Sequence, residues 1–185
     1  LDTFTLMGFF PKRLIAPTYC TLNSVSTAMI AMANRMRARA YIDAPIGITP
    51  AQAMAGRGPS GSINFNTASK RVRLCYPHVK VYDSVTNADR LEPLSQRAAG
   101  LGSAIDIANG YWWSPSNQEI YGITGMERTI SAMVNDPNCE ANLLNEVGIT
   151  TVFNSFGSGL CLWGNRMANW PSETGPETFE SVIAV

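Results

Sequence analysis

The feature that most restricts this chain is a strand–helix–strand pattern packed into its first 43 residues. Arg13-Leu14-Ile15-Ala16 is a short apolar run stopped by Pro17, which reads as a buried strand. Asn23 or Ser24 offers a side-chain cap for a helix running to about Arg37. Within it Val25, Met29, Met32, Ala33 and Met36 recur at steps of three and four and give one apolar stripe. Ala38-Arg39-Ala40-Tyr41-Ile42-Asp43 reads as a second strand, closed by Pro45. A helix between two strands carries the chain back to the end it started from. The strands are therefore expected to be parallel, with a right-handed crossover.

The remainder fits the same plan. Thr49 is placed to cap a short helix with Pro50 at its first position. The Gly/Ser-rich stretch from Gly56 to Ser62 reads as a loop, and Val72–Tyr76 and Val79–Tyr82 as strands broken at Pro77. Leu94–Ala108 reads as partly helical, weakened by Gly100 and Gly102, and Ser114-Pro115-Ser116-Asn117 as a turn. Asp136 or Asn138 is a candidate cap for a helix to Glu146, with Gly148 as its stop. Ile149–Phe153 and Leu160–Trp163 flank Gly157-Ser158-Gly159 as a β-hairpin. The fold class expected is α/β: a mainly parallel sheet flanked by helices, with a late antiparallel hairpin, in one domain over residues 1–185.

Composition bears on what such a domain meets. Only 15% of residues are charged while 45% are hydrophobic, which suggests that much of the surface faces other protein. The net charge of zero conceals a split. Residues 1–97 hold 12 of the 14 Lys/Arg and 5 of the 14 Asp/Glu, and residues 98–185 hold the rest, giving +7 and −7. Either the two halves form oppositely charged poles that favour head-to-tail association, or they interleave in the fold and cancel. The basic runs Arg35/Arg37/Arg39 and Lys70/Arg71/Arg73 lack interleaved aromatics, so they read as a solvated face and not as a nucleic-acid site. No apolar run approaches the ~20 residues of a membrane span. Cys20, Cys75, Cys139 and Cys161 show no C-x-x-C pair. They read as buried thiols, implying a reducing, cytoplasmic compartment and no zinc site. Leu1 is not an initiator Met, so the start is taken as a fragment boundary, a processing point or a chosen end.

Three patterns touch on chemistry. Gly56-Arg57-Gly58-Pro59-Ser60-Gly61 spells G-x-G-x-x-G, but a dinucleotide site needs a strand before it and a helix opening after it. Here a helix precedes it and Pro59 removes a donor, so a flexible surface loop is expected; a small-molecule module using this loop is one rival reading. A serine hydrolase would have to use His78, the single histidine, with Ser158 as nucleophile and Asp83 as orienting acid. Ser158 lies in Gly-Ser-Gly and not in a G-x-S-x-G elbow, and nothing in the sequence brings the three together. Asp43, Asp83 and Asp106 follow apolar stretches, where carboxylates either bind Mg²⁺ or cap helices; capping is expected. Among the aromatics near Tyr111 and Trp113, Trp112 and Trp163 are expected in the core and Trp170 at an interface.

The stretch Tyr111-Trp112-Trp113-Ser114-Pro115-Ser116-Asn117-Gln118-Glu119-Ile120-Tyr121-Gly122 resembles a signature of contractile tail sheath proteins. Four further segments resemble that family in the same order: Arg13-Leu14-Ile15-Ala16-Pro17, Arg39–Pro45, Asn142–Thr151 and Gly159–Arg166. The likeness runs from about residue 12 to 170, and the chain resembles sheaths of P2-like phages and R-type pyocins. Cys161 and Met167 depart from it, standing where a basic residue and a threonine are expected. The resemblance implies a subtilisin-like α/β domain with no catalytic, cofactor or metal residues and no cofactor. It implies partners in other sheath subunits, an inner tail tube and a baseplate, and no nucleic acid or membrane. It places the protein in the virion tail, assembled in the host cytoplasm. It also implies an N-terminal arm and a C-terminal domain outside these 185 residues, so the chain alone is expected to be a monomer or a weak, salt-sensitive oligomer.

Overall fold

The computed structural model describes residues 6–184 except 60, 62, 134 and 156. The first half runs β1 (Arg13–Ile15), α1 (Asn23–Met36), β2 (Arg39–Asp43), α2 (Pro50–Ala55), β3 (Val72–Cys75), β4 (Val79–Asp83) and β5 (Ala88–Glu92). The second runs α3 (Leu94–Asn109), β6 (Gly125–Met126), α4 (Glu140–Glu146), β7 (Ile149–Ser155), β8 (Gly159–Trp163) and α5 (Glu180–Ala184). The main sheet has the order β1-β2-β3-β7-β8. Its first four strands are parallel, and β8 returns antiparallel to β7 through the predicted hairpin.

The central parallel strands are covered on both faces: all five residues of β2 and all four of β3 are buried. Alternation sends Ala40, Ile42, Val72 and Leu74 to one face, where they pack with Met29 and Ala33 of α1, Ala53 of α2 and Ala141 and Leu144 of α4. Tyr41 and Cys75 go to the other, with Leu94, Ala98 and Ala99 of α3. Beside that second face lies a small antiparallel sheet, β5-β4-β6. The sequence reading included β4 in this region but missed β5 and β6.

Local signals explain most helix ends, with two corrections. Thr49 forms a full capping box: its Oγ1 accepts the Gln52 N–H while Gln52 Oε1 accepts the Thr49 N–H. At α1, however, Leu22 is the cap residue and no side chain caps the helix. Asn23 already lies inside it, and its carbonyl accepts the Ser26 hydroxyl. Neither Asp136 nor Asn138 caps α4, whose cap residue is Cys139; Asp136 instead accepts the Asn138 N–H in the turn just before. Gly148 ends α4 as expected, with φ +75°.

Candidate functional site

Strand alternation turns Arg39, Tyr41 and Arg73 toward α3 and α5, into a face that is closed to water. There they converge on Glu180, the first residue of α5, which is 1% exposed. Arg39 Nη1 donates to Glu180 Oε1 at 2.9 Å and the Tyr41 hydroxyl donates to the same oxygen at 3.0 Å. Arg73 Nη1 donates to Glu180 Oε2, its Nη2 to the Gly164 carbonyl, and its Nε to Thr150 Oγ1 at 2.8 Å. Arg13 extends the network, donating to the Tyr41 hydroxyl at 3.2 Å and pairing with Asp106 at 2.7 Å. Burial holds the Arg39 and Arg73 guanidiniums below their usual pKa. Arg39 and Arg73, expected on a solvated face, are therefore buried anchors; Arg35 and Arg37 do lie exposed.

This network decides the charge question. Cations from the first half of the chain meet anions from the second: Arg13 and Arg39 with Asp106, Arg39 and Arg73 with Glu180, and Lys70 with Glu177. At these contacts the halves interleave: Asp106 and Glu180 meet first-half arginines inside the fold, and Glu177 meets Lys70 at the surface.

Arg57, in the Gly-rich stretch expected to be a flexible loop, is bound firmly into the fold. Arg57 donates to five carbonyls, those of Phe65, Thr67, Val147, Ala168 and Trp170, at 2.6–2.9 Å. A Cβ at Gly56 would stand 2.2 Å from Ile63 Cγ1, so this glycine serves close packing and offers no cradle for a phosphate. Ser60 of the motif lies outside the described residues.

The candidate catalytic residues have separate partners. His78 is buried after β3, with Nδ1 3.7 Å from Glu127, and burial lowers its pKa. Ser158 sits exposed at the tip of the β7–β8 hairpin, and among the described residues no hydrogen bond links it to His78. Asp83 braces the β4–β5 turn through the Val85 N–H at 2.9 Å and the Thr86 hydroxyl at 3.1 Å. Asp43 caps α3 by accepting the Ser95 N–H at 2.8 Å. Asp106 lies within α3, not at a strand end, and is an ion-pair partner. Sequence reasoning missed the cluster around Asp43: Cys20 Sγ lies 3.3 Å from Asp43 Oδ2, and the Ser95 hydroxyl is buried beside them. Burial, and then the Asp43 charge, push the Cys20 thiol up to about 12, which keeps it protonated and unreactive. Among the described residues no group of three or more His, Cys, Asp or Glu side chains is arranged to hold a metal ion.

Of the aromatics, Trp112 departs from expectation. Tyr111, Trp112 and Trp113 are about half exposed, Trp112 at 58%, so Trp112 is not core; Tyr111 and Trp112 meet edge to face at 5.1 Å. Trp163 is half-buried against the core and meets Phe153 edge to face. Trp170 is tied into the fold, donating from Nε1 to the Glu146 carbonyl at 2.7 Å beneath the Arg166 guanidinium. The segment after Trp113 covers the free edge of β8: the Asn117 and Ile120 N–H groups donate to the Leu162 and Leu160 carbonyls, and Leu162 N–H to Gln118. Ile107, Tyr111, Trp112, Trp113 and Tyr121 stay exposed, large apolar and aromatic side chains of the kind that mark contact surfaces.

The chain belongs to the phage tail sheath protein central domain family, which it matches over residues 2–168. It is 65% identical over 181 residues to the tail sheath protein of Burkholderia phage BcepMu, covering 98% of this chain and 38% of that protein. It is 28% identical over 162 residues to the tail sheath protein of Escherichia phage P2, covering 88% and 38%. The fold is that of the sheath of an extracellular contractile injection system, the PVC sheath complex in its contracted state: TM-score 0.70, 19% identity, 100% of this chain and 46% of that one. The contracted helical sheath of the anti-feeding prophage gives TM-score 0.65 at 20% identity, covering 98% and 44%. The chain thus spans less than half the length of the relatives it matches.

Proposed function

We propose that this domain is the rigid core of a contractile tail sheath subunit. In this reading it packs with other copies around an inner tube, joins a baseplate at one end, and moves as a unit when the sheath shortens and drives the tube through a cell envelope. Its work is mechanical: energy is held in bistable contacts between subunits and not supplied by a nucleotide or a covalent intermediate. The observation that carries the reading is the family match over residues 2–168. Two features support it, the Glu180 network that braces sheet and helix together and the exposed aromatic rim. A non-enzymatic role fits a buried His78 that faces Glu127 and an unrelated, exposed Ser158. Residues 1–185 act in this proposal as one sheath core, located in the virion tail. The chain by itself is a monomer or a weak oligomer that dissociates as salt rises.

Antibody raised against this domain tests the reading on whole particles released from its host. Labelling along the full length of the tail's outer layer is expected. Labelling confined to the tip, or to no part of a particle, refutes it.

A further inference from the structure

Between the start of the parallel sheet, the end of α3 and α5 lies a cleft of about 380 Å³. Lys12, Arg37, Arg39, Asp106, Tyr111 and Ile183 line it. Arg39 and Asp106 belong to the network already described, but Lys12 and Arg37 have no acidic partner within 4.0 Å among the described residues. Arg37 is exposed, ends α1 in the left-handed conformation at φ +52°, and stands at the mouth of the cleft next to β2. These two cations, without an acidic partner among the described residues, stand with the exposed ring of Tyr111 and form a socket for an acidic segment that also carries an apolar side chain.

The chain carries such a segment at the far end of its own sheet. Lys12 and Arg37 stand just before β1 and β2, at the N-terminal end of the parallel strands. α4 leads into parallel β7 through the tight turn at Val147-Gly148, so it runs against the strands and begins at their C-terminal end. Cys139 and Ser155, at the start of α4 and the end of β7, indeed line one pocket together. Just there the exposed Met133 is followed by Asp136 and Glu140, neither of which has a cationic partner among the described residues.

We infer that the Lys12/Arg37 cleft receives Met133, Asp136 and Glu140 of a second copy of this chain. The inference rests on the sheath reading for its partner and goes beyond it in naming the two surfaces. Socket and plug lie at opposite ends of one sheet, so the contact is heterologous: each copy keeps one free socket and one free plug. Such a contact propagates into rings or helical arrays and does not close a two-fold dimer.

Charge exchange tests this. Sedimentation velocity at low salt compares the wild-type chain with Lys12→Glu/Arg37→Glu and with Asp136→Lys/Glu140→Lys. Each variant alone places like charges on both surfaces, so its self-association should weaken by about tenfold or more. An equimolar mixture restores opposite charges at every contact and should recover the wild-type association. Asp136→Lys alone leaves the Glu140–Ser131 hydrogen bonds in place and should show part of the loss in a chain folded like the wild type. Wild-type-like association of either double variant, failure of the mixture to recover it, or a wild-type chain that stays monomeric overturns the inference. None of those results bears on the particle-labelling experiment, which tests the sheath reading by itself.

Discussion

Removing the Glu180 carboxylate is the most informative perturbation of this domain. In Glu180→Ala, Arg39 and Arg73 lose their shared counter-ion and Tyr41 loses its acceptor, at a site where Glu180 is 1% and Arg73 0% exposed. Arg39 keeps Asp106 at 3.6 Å, but Arg73 keeps only Thr150 and the Gly164 carbonyl, neither of them charged. Breaking a buried pair by removing one partner costs about 3–5 kcal/mol, because the remaining charge is left without compensation. For a chain of this size that corresponds to a fall in Tm of roughly 10 °C. Glu180 begins a helix of five residues, so there is a cheaper escape: α5 detaches and water reaches the guanidiniums. Urea denaturation together with amide hydrogen exchange separates the two. If α5 stays docked, the loss appears in global stability; if it detaches, residues 176–184 lose protection while β3 keeps it. Adding Arg73→Met to Glu180→Ala removes the orphaned charge and should recover part of the loss. A stability loss below about 1 kcal/mol with α5 protection unchanged would refute the account of the network.

Three further outcomes follow from the same structure. Arg57→Ala leaves five carbonyls without their donor and should cost about 2–4 kcal/mol in urea denaturation, whereas a flexible surface loop would lose almost nothing. Burial depresses the His78 pKa, so the unfolded chain binds that proton more readily than the native one. Stability should therefore fall as pH drops below about 6.5, and His78→Asn should flatten that part of a Tm-against-pH curve. A fluorophosphonate probe should leave Ser158 unlabelled in the wild-type chain by mass spectrometry, and labelling that disappears in His78→Asn would establish hydrolase chemistry.

The parallel core was legible in the sequence because its signals are local. The apolar stripe of α1, the Thr49 cap with Pro50 behind it and the Gly157–Gly159 turn each act within a few residues, and each appears where expected. The small second sheet was not legible, because Ala88–Leu91 is exposed and carries no apolar alternation; β5 is held by pairing with β4 and by the Asp83 turn. The buried arginines were misread for a different reason. Arg73 and Glu180 stand 107 residues apart, and no local pattern joins them. One signal was available: a single arginine inside Val72-Arg73-Leu74-Cys75, in a strand that parallel topology covers on both faces, has to find an anion in the interior. Trp112 was misplaced by the ordinary preference of aromatics for cores, which cannot distinguish a core from an interface.

Glu180 also shows why polar groups should stand in this interior at all. α5 carries Val182, Ile183 and Ala184, none of them fully buried, so apolar burial alone holds it weakly and in no single register. A helix docked only by such residues could slide by a turn at little cost. A carboxylate seated between two guanidiniums and a tyrosine hydroxyl accepts one position, because displacement by even a few ångströms leaves three buried groups unpaired. The two guanidiniums in turn come from adjacent strands, β2 and β3, and Arg73 reaches β7 through Thr150 and the loop after β8 through Gly164. One residue of α5 is thereby tied to most of the width of the main sheet. Replacing the cluster with apolar side chains of equal volume could match its stability. It would not reproduce that fixed position, which a subunit needs if it is to move as one body while its outer contacts change.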